Sequence, residues 1–236
     1  MTSFLLKLIA IITMLFDHTS LLLYGPGFSW MRCVGRIAFP IFAFQICEGY
    51  LHTHNINKYY TRLIIFAIFS EIPFACFTYI FFGSVSLNVI FTLILGLFSI
   101  HIYDIFTSIP NNKQKEVQQF YKFVAFVLVL LISFLAQTIN TDYGYFGVLL
   151  IFSFYIFRNN KKLMNLSVIL LTFIYFLPHL IQSHFHRYLV ILFLCTLLPL
   201  IFINLYNKTK GKDIKWLFYI FYPLHLTIIC ILHFIF

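Results

Sequence analysis

Charge is scarce in this chain of 236 residues. Only 10% of the residues are charged, and 7 are acidic against 16 that are lysine or arginine. With 61% hydrophobic residues, among them 32 phenylalanines, the chain holds more apolar surface than a soluble domain of this length could bury. This composition excludes an ordinary soluble domain and predicts an all-α, polytopic integral membrane protein.

A hydrophilic domain and paired cysteines are also missing from the sequence. The longest polar loop, about residues 107–120, is too short for a core of its own, so residues 1–236 are expected to form one transmembrane domain. The five cysteines are scattered without a Cys-x-x-Cys pair, which indicates no disulfide framework. The first apolar segment has no small-residue cleavage site, and we expect it to be retained as a span.

Hydropathy predicts about nine membrane spans, within a range of eight to ten. Their approximate limits are 4–24, 36–51, 62–82, 86–106, 121–139, 143–158, 163–182, 187–206 and 217–236. Two of these spans are short. The span 36–51 contains Pro40 and Glu48, the span 143–158 lies between Asp142 and Arg158, and whether either fully crosses a bilayer is left open.

The basic residues predict the orientation of the chain. With a cytoplasmic N terminus, only Arg32, Arg36 and Arg187 fall outside, as the positive-inside rule requires. The inner side then collects the other cations: Lys7, Lys58, Arg62, Lys113, Lys115, Lys122, Arg158, Lys161, Lys162, Lys208, Lys210, Lys212 and Lys215. Inner lysines facing anionic lipid account for the net charge of +9, so no nucleic-acid partner is predicted.

The first span carries an ionisable pair, Asp17 and His18, ten intervening residues after Lys7. Eleven residues at about 100° each return to within roughly 20° of the same helix face, about 16 Å further along the axis. Lys7 and His18 therefore share one face, with Lys7 at the membrane surface and His18 near the middle of the bilayer. Ionisable residues inside a membrane are expensive and mark functional sites, so this stripe is the first candidate.

Other intramembrane polar residues can be ordered by depth. Three fall near the middle third of their spans: His18, Glu71 and His225. Asp17 and Arg36 lie toward the outer side, where we predict an ion pair between them, with Arg32 as the alternative partner. Structural interpretations stay open as well, because the ion pair could only set topology, His18 could be an interhelical hydrogen-bonder, and Glu71 could satisfy backbone groups freed by Pro73.

Four segments resemble the TraX-like family: residues 12–18 (ITMLFDH), 35–44 (GRIAFPIFAF) with the polar residues that follow to position 63, 70–74 (SEIPF) and 221–225 (FYPLH). The best-known members of that family acetylate the N terminus of a conjugative pilin. The spacing from Lys7 to His18 is also similar to the basic residue, ten residues and histidine found in integral-membrane acyltransferases of the acyltransferase-3 type. The middle of the chain, about 85–215, is similar only in hydropathy.

This resemblance implies an enzyme in a bacterial cytoplasmic membrane. It would move an acetyl group from cytoplasmic acetyl-CoA to an amine or hydroxyl acceptor, such as a pilin-like peptide, a cell-envelope glycan or a lipid-linked molecule. His18 is the expected general base. The further catalytic candidates are Asp17, Arg36, Glu71 and His225. The expected contacts to acetyl-CoA are Lys7, His52, His54, Lys58 and Arg62.

Two other function classes remain as alternatives. His18 and His225 could be the axial ligands of a b-type haem. An ion-coupled transporter or flippase could instead use the membrane carboxylates together with Arg36. A third histidine group, His179, His184 and His186, lies at the outer end of the seventh span, but no carboxylate or cysteine stands beside it, so no metal site is predicted. Its role is left open.

Overall fold

The computed structural model describes residues 1–27, 29–109, 115–212 and 215–235. Lys113, one of the cations used for the predicted orientation, lies outside these ranges. For Lys215, another of these cations, the backbone is described but the side chain is not. The helices in the described ranges are α1 Ser3–Tyr24, α2 Trp30–Gly35, α3 Ala38–His52, α4 Ile56–Phe82, α5 Val89–Ser108, α6 Lys115–Thr138, α7 Gly144–Ile156, α8 Lys161–Gln182, α9 Arg187–Leu197, α10 Pro199–Asn204 and α11 Lys215–Ile235.

The all-α polytopic prediction is confirmed. Seven helical segments of the described chain are long and apolar enough to cross a bilayer, with α9 and α10 together forming one of them, Arg187–Asn204. Each predicted span coincides with a helix. The largest differences are at α4, which begins at Ile56 and not at 62, and at α6, which begins at Lys115 and not at 121. The side chain of Asn55 caps α4 by accepting a hydrogen bond from the backbone N–H of Lys58 at 2.9 Å.

The helices alternate between two ends of the bundle. At one end, which we call the inner end, the start of α1 pairs with the segment after α10, where the N–H of Ser3 donates to the carbonyl of Thr209 at 2.9 Å. At the opposite or outer end, the loop before α5 pairs with the loop after α6, where the N–H of Leu87 donates to the carbonyl of Asn140 at 3.0 Å. The lysines that the structure describes lie at the inner end, as the sequence predicts.

The two short helices, α3 and α7, lie at the centre of the bundle. Of the 13 residues of α7, 10 are buried, and of the 15 residues of α3, 9 are buried. At 1.5 Å per residue, both are shorter than the roughly 30 Å hydrocarbon layer. Protein covers them on most sides, so their length does not have to match the lipid.

Two long helices, α6 and α8, show the opposite pattern. In α8 the buried side chains recur every four residues: Met164, Val168, Thr172, Phe176 and Leu180. Only this stripe faces protein, and the remaining surface is rich in exposed leucine, isoleucine and phenylalanine, as expected of helices that face lipid.

Five helices form a closed ring that includes α1, the helix of His18. In this arrangement, α1 packs on α3 and α11, α4 packs on α5 and α11, and α3 packs on α5. We call α1, α3, α5, α4 and α11, in this order, the five-helix ring. The ring brings the first third of the chain against the last helix, α11, which sequence separation alone does not predict.

Candidate active site

His18 of α1 and His225 of α11 meet inside the bundle. The Nδ1 atom of His18 lies 2.7 Å from the Nε2 atom of His225, and the two rings are nearly parallel, at 6°. His225 is 4% exposed. The Nδ1 atom of His225 in turn lies 2.7 Å from the backbone carbonyl of Phe221, one helical turn earlier. The two histidines and this carbonyl therefore form one continuous hydrogen-bonded chain.

This chain assigns the hydrogens on both neutral rings. A carbonyl can only accept, so the Nδ1 atom of His225 carries its hydrogen and donates it to Phe221. The Nε2 atom of His225 then has a lone pair and accepts from the Nδ1–H of His18. The Nε2 atom of His18 is consequently left without a hydrogen, as a general base requires.

Aromatic rings surround the histidine pair. Phe77 of α4 lies 4.9 Å from the ring of His18 between centroids, and Phe221 lies 4.8 Å from the ring of His225. The site is therefore built by α1, α4 and α11 and is largely apolar. In this arrangement the two histidines bond to each other directly, and the haem alternative stays a prediction.

The residue before His18, Asp17, forms an ion cluster at the outer end. The guanidinium of Arg36 donates to the carboxylate of Asp17, which is the pair that the sequence predicts. Arg32, the alternative partner, contributes as well, with its Nε atom 3.7 Å from the carboxylate. Two cations thus share one largely buried carboxylate, which ties α1 to the turn between α2 and α3.

Gly35 and Asp142 complete the surroundings of this cluster. A Cβ atom at Gly35 would overlap the side chain of Asp17, so only glycine permits this close approach of α2 to α1. Asp142 lies in the loop before α7, and its backbone carbonyl accepts a hydrogen bond from the hydroxyl of Thr92. Burial raises the pKa of Asp142 to about 6, although the charge of Arg36 opposes this rise.

The structure places Glu71 against the start of α5. Its carboxylate accepts hydrogen bonds from the side-chain amide of Asn88 at 2.6 Å and from the backbone N–H of Asn88 at 3.2 Å. Asn88 also donates to the carbonyl of Ala67 and caps α5. These bonds give the carboxylate of Glu71 a role in joining α4 to α5. It lies six residues, about 9 Å of helix, before the phenylalanine that contacts His18.

Two of the predicted donor-binding cations lie near aromatic rings, one of which belongs to α11. The Nζ atom of Lys7 lies 5.7 Å from the ring centre of Phe218, and Arg62 lies 5.8 Å from the ring centre of Tyr59. The Nε atom of Arg62 is buried and has no hydrogen-bond partner among the described residues. Lys7 and Arg62 thus belong to α1 and α4, two of the three helices that build the histidine site.

The other predicted donor contacts lie at the turn between α3 and α4. His52 donates from Nδ1 to the carbonyl of Glu48 at 2.9 Å, and its side chain is 66% exposed. His54 and Lys58 are exposed as well. The structure therefore divides the five predicted donor contacts into two groups, one beside α11 and one at this turn.

A pocket of about 440 Å³ opens beside this turn, and the sequence alone does not reveal that its main groups lie together. Asp104 of α5 accepts hydrogen bonds from the hydroxyls of Tyr50 and Tyr155, each at 2.8 Å. Arg158 lies over the ring of Tyr155 at 4.4 Å. One signal is present in the sequence, because Asp104 is the only acidic residue of α5, but its two tyrosine partners come from distant segments.

The third histidine group stays apart from the sites above. His179 lies in the last turn of α8, and the ring nitrogen of His186 caps α9 by accepting from the backbone N–H of Tyr188 at 3.4 Å. His184 lies in the turn between them with a positive φ of 51°. Within the part of the chain that the structure describes, no three histidine, cysteine, aspartate or glutamate side chains gather as a metal site.

The chain is similar to known proteins over nearly its whole length. The family model described as TraX protein matches residues 3–233. A protein named "Probable fimbrial assembly protein FimC, serogroup H1" from Dichelobacter nodosus is 29% identical over 247 aligned residues, which cover 97% of this chain and 94% of that protein.

A second relative, "Uncharacterized protein RP591" from Rickettsia prowazekii (strain Madrid E), is 29% identical over 225 residues, with 90% of this chain and 83% of that protein covered. No solved structure gives a significant match. The matched residues 3–233 include both histidines, the ion cluster and the inner pocket, and on this ground the chain belongs to the TraX family.

Proposed function

We propose that this protein is a membrane acyltransferase that moves an acetyl group from acetyl-CoA to an amine or hydroxyl of an acceptor. The observation that supports this proposal best is the hydrogen-bonded chain from His18 through His225 to the carbonyl of Phe221. It holds a neutral imidazole in one tautomer inside an apolar site. A base prepared in this way suits proton removal from a weak nucleophile.

In the proposed reaction, the Nε2 atom of His18 takes the proton from the acceptor amine or hydroxyl. The nitrogen or oxygen of the acceptor forms a bond to the thioester carbon of acetyl-CoA, and the carbon–sulfur bond breaks. The leaving thiolate receives the proton from His18, so that the products are the acetylated acceptor and free CoA. His18 returns to its starting state and is not consumed.

His225 is the positioning residue of this mechanism. By accepting from the Nδ1–H of His18, it keeps the reactive nitrogen unprotonated, and it stabilises the imidazolium that forms during proton transfer. The ion cluster of Asp17 with Arg36 and Arg32 supports the same helix next to His18. For Glu71 we propose a structural role through Asn88.

The location and the acceptor follow from orientation and from relatives. The lysine-rich inner end faces the cytoplasm of a bacterial cell in this proposal, which gives acetyl-CoA access near Lys7 and Arg62. The relative from Dichelobacter nodosus is named as a fimbrial assembly protein. We therefore propose a pilin-type subunit as the acceptor, with its amine or hydroxyl presented to His18 within the membrane.

The release of CoA tests this function. Purified protein in detergent is incubated with acetyl-CoA and pooled acceptors, including pilin-type peptides, and free thiol is measured. We expect release by the unmodified protein and almost none by His18→Ala. The variant His233→Ala removes an exposed histidine from the same helix as His225 and should keep full activity. If folded protein neither releases CoA nor binds acetyl-CoA, the acyltransferase proposal is wrong and an ion-coupled transporter or flippase becomes the better explanation.

A further inference from the structure

The inner pocket has the size and position of a binding site for a soluble ligand. Its volume of about 440 Å³ lies within the range of roughly 300–1,000 Å³ that small-molecule sites occupy. It is formed by the inner ends of α3, α5 and α7 with the first turn of α4. Three of these helices, α3, α4 and α5, belong to the five-helix ring. The pocket therefore opens at the inner end of the ring to which the helix of His18 belongs.

One wall of the pocket presents a fixed carboxylate. The hydroxyl of Tyr50 donates to one oxygen of Asp104 and the hydroxyl of Tyr155 donates to the other, both at 2.8 Å. Each carboxylate oxygen can accept more than one hydrogen bond, so Asp104 retains capacity for a ligand. A carboxylate attracts donor groups, such as an amino group or a hydroxyl, and repels phosphate.

A cation, Arg158, and two histidines also line the pocket. The guanidinium of Arg158 lies over the ring of Tyr155 at 4.4 Å and donates one hydrogen bond, from Nη1, to a backbone carbonyl at 2.9 Å. A guanidinium has five N–H groups, and one that is stacked on a ring presents its edge in a defined direction, which suits a phosphate. His54 and His101 also line this pocket.

We propose that this pocket binds the adenosine end of the acyl-CoA donor, with phosphate at Arg158 and His54 and with the adenine amino group or ribose hydroxyls at Asp104. The proposal rests on the proposed function, because acyl-CoA is what brings a nucleotide to this end of the molecule. A nucleotide carries both anionic groups and hydrogen-bond donors, and it therefore uses both walls of the pocket. Free inorganic phosphate would use only one wall.

The position of the pocket also fits the remaining donor-binding cations. Ile56 lines the pocket, and Arg62 follows six residues later on the same helix, a rise of about 9 Å. A donor whose adenosine lies in the pocket would bring its diphosphate to the level of Arg62, which lies about 120° around α4 from Ile56. The level of Lys7 is about 16 Å below His18 along α1, a distance that is left for the pantetheine arm.

Direct binding of adenosine 3′,5′-bisphosphate tests the pocket without any chemistry. This probe is the nucleotide end of CoA and lacks the thiol and the acyl group. Its affinity for the full chain in nanodiscs is measured by calorimetry. We expect Arg158→Ala to weaken binding at least tenfold and His54→Ala to weaken it about threefold. The matched control is Lys162→Ala, which removes one exposed cation four residues away and outside the pocket lining, and it should change the affinity less than twofold.

Three outcomes would overturn the inference. They are unchanged binding in Arg158→Ala, an equal loss in Lys162→Ala, and a larger loss in Arg62→Ala than in Arg158→Ala, which would move the nucleotide to α11. A zwitterionic lipid headgroup also combines phosphate with a donor. Binding that disappears when phosphatidylethanolamine replaces phosphatidylcholine in the nanodisc would therefore assign the pocket to lipid.

Turnover separates this inference from the proposed function. With acetyl-CoA, Arg158→Ala should raise the KM for the donor at least tenfold and leave kcat within twofold. With acetyl-pantetheine, which has no nucleotide, Arg158→Ala and the unmodified protein should be equally active. A normal KM for acetyl-CoA in Arg158→Ala rejects the pocket while keeping the acyltransferase. Probe binding that depends on Arg158, in protein without CoA release, rejects the acyltransferase while keeping a nucleotide site.

Discussion

The arginines at the outer end of the bundle have different partners from those at the inner end. At the outer end, Arg36 and Arg32 share the carboxylate of Asp17. At the inner end, Arg62 and Arg158 lie over the rings of Tyr59 and Tyr155. A carboxylate neutralises a cation, whereas the face of an aromatic ring holds a cation and leaves its charge in place.

This difference indicates that the two ends of the bundle have different roles. The outer cluster fastens α1 to its neighbours, and Gly35 allows the helices to approach for this purpose. The inner end keeps positive charge in ordered positions, which suits an anionic donor. His18 directly follows Asp17 in α1, so the histidine pair lies beside the outer cluster, and whether the role of the pair is structural or chemical is the first point to test.

Among the variants that test this comparison, the largest effect is expected from His225→Leu, which removes the acceptor of His18 at similar volume. We expect kcat for CoA release to fall by about a thousandfold, because the reactive tautomer of His18 is no longer held. Thermal unfolding should change little. His225→Gln restores a side-chain acceptor and should recover part of the activity, a rescue that a packing role would not produce. If both variants are as active as the unmodified protein, the pair of His18 and His225 has a structural role, as the outer cluster does.

A smaller effect, and one on stability, is expected from Asp17→Asn. Removing the carboxylate leaves two guanidinium groups uncompensated in a largely buried site, which should cost on the order of 3 kcal/mol of stability. Arg32→Gln should cost clearly less, since Arg32 approaches Asp17 only to 3.7 Å. Thermal unfolding in detergent measures both variants. If the two lose the same stability, the contact between Asp17 and Arg36 is not what fastens the outer end.

The smallest effect is expected from Lys7→Ala at the inner end. A charge-assisted contact to a donor phosphate is worth roughly 1.5 kcal/mol or more, so the KM for acetyl-CoA should rise about tenfold, with kcat and the melting temperature nearly unchanged. Lys122→Ala in α6 provides the matched loss of one inner cation. A change in melting temperature without a change in KM would assign Lys7 to structure, and the two ends would then no longer differ in the way described above.

Much of the architecture follows from hydropathy. Nine predicted spans coincide with helices, because about twenty apolar residues in a row have few alternatives to a membrane helix. The two exceptions in length, 36–51 and 143–158, are also visible in the sequence. What hydropathy does not reveal is that these two, α3 and α7, are the most buried helices, since a short apolar helix looks the same at the centre and at the rim.

The candidate site could be predicted only in part. The register of Lys7 and His18 on one face is a property of a single helix, and the ion pair of Asp17 with Arg36 joins segments connected by a short loop. Asp104 was missed because Tyr50 and Tyr155 come from other helices. The sequence marks Glu71 as a carboxylate inside a span, but its partner Asn88 belongs to the next segment, and depth alone does not say which neighbour a side chain faces.

The sequence by itself determined that this chain is a helical membrane protein, which end carries its lysines, and which histidine and aspartate lie inside the first span. These properties depend on composition and on the geometry of one helix. Only the tertiary structure decided that His225 meets His18, that the carbonyl of Phe221 sets the tautomer of both rings, and that Asp104 and Arg158 line one pocket. Such contacts join residues that are up to 207 positions apart in the chain, and they exist only once the five-helix ring has closed.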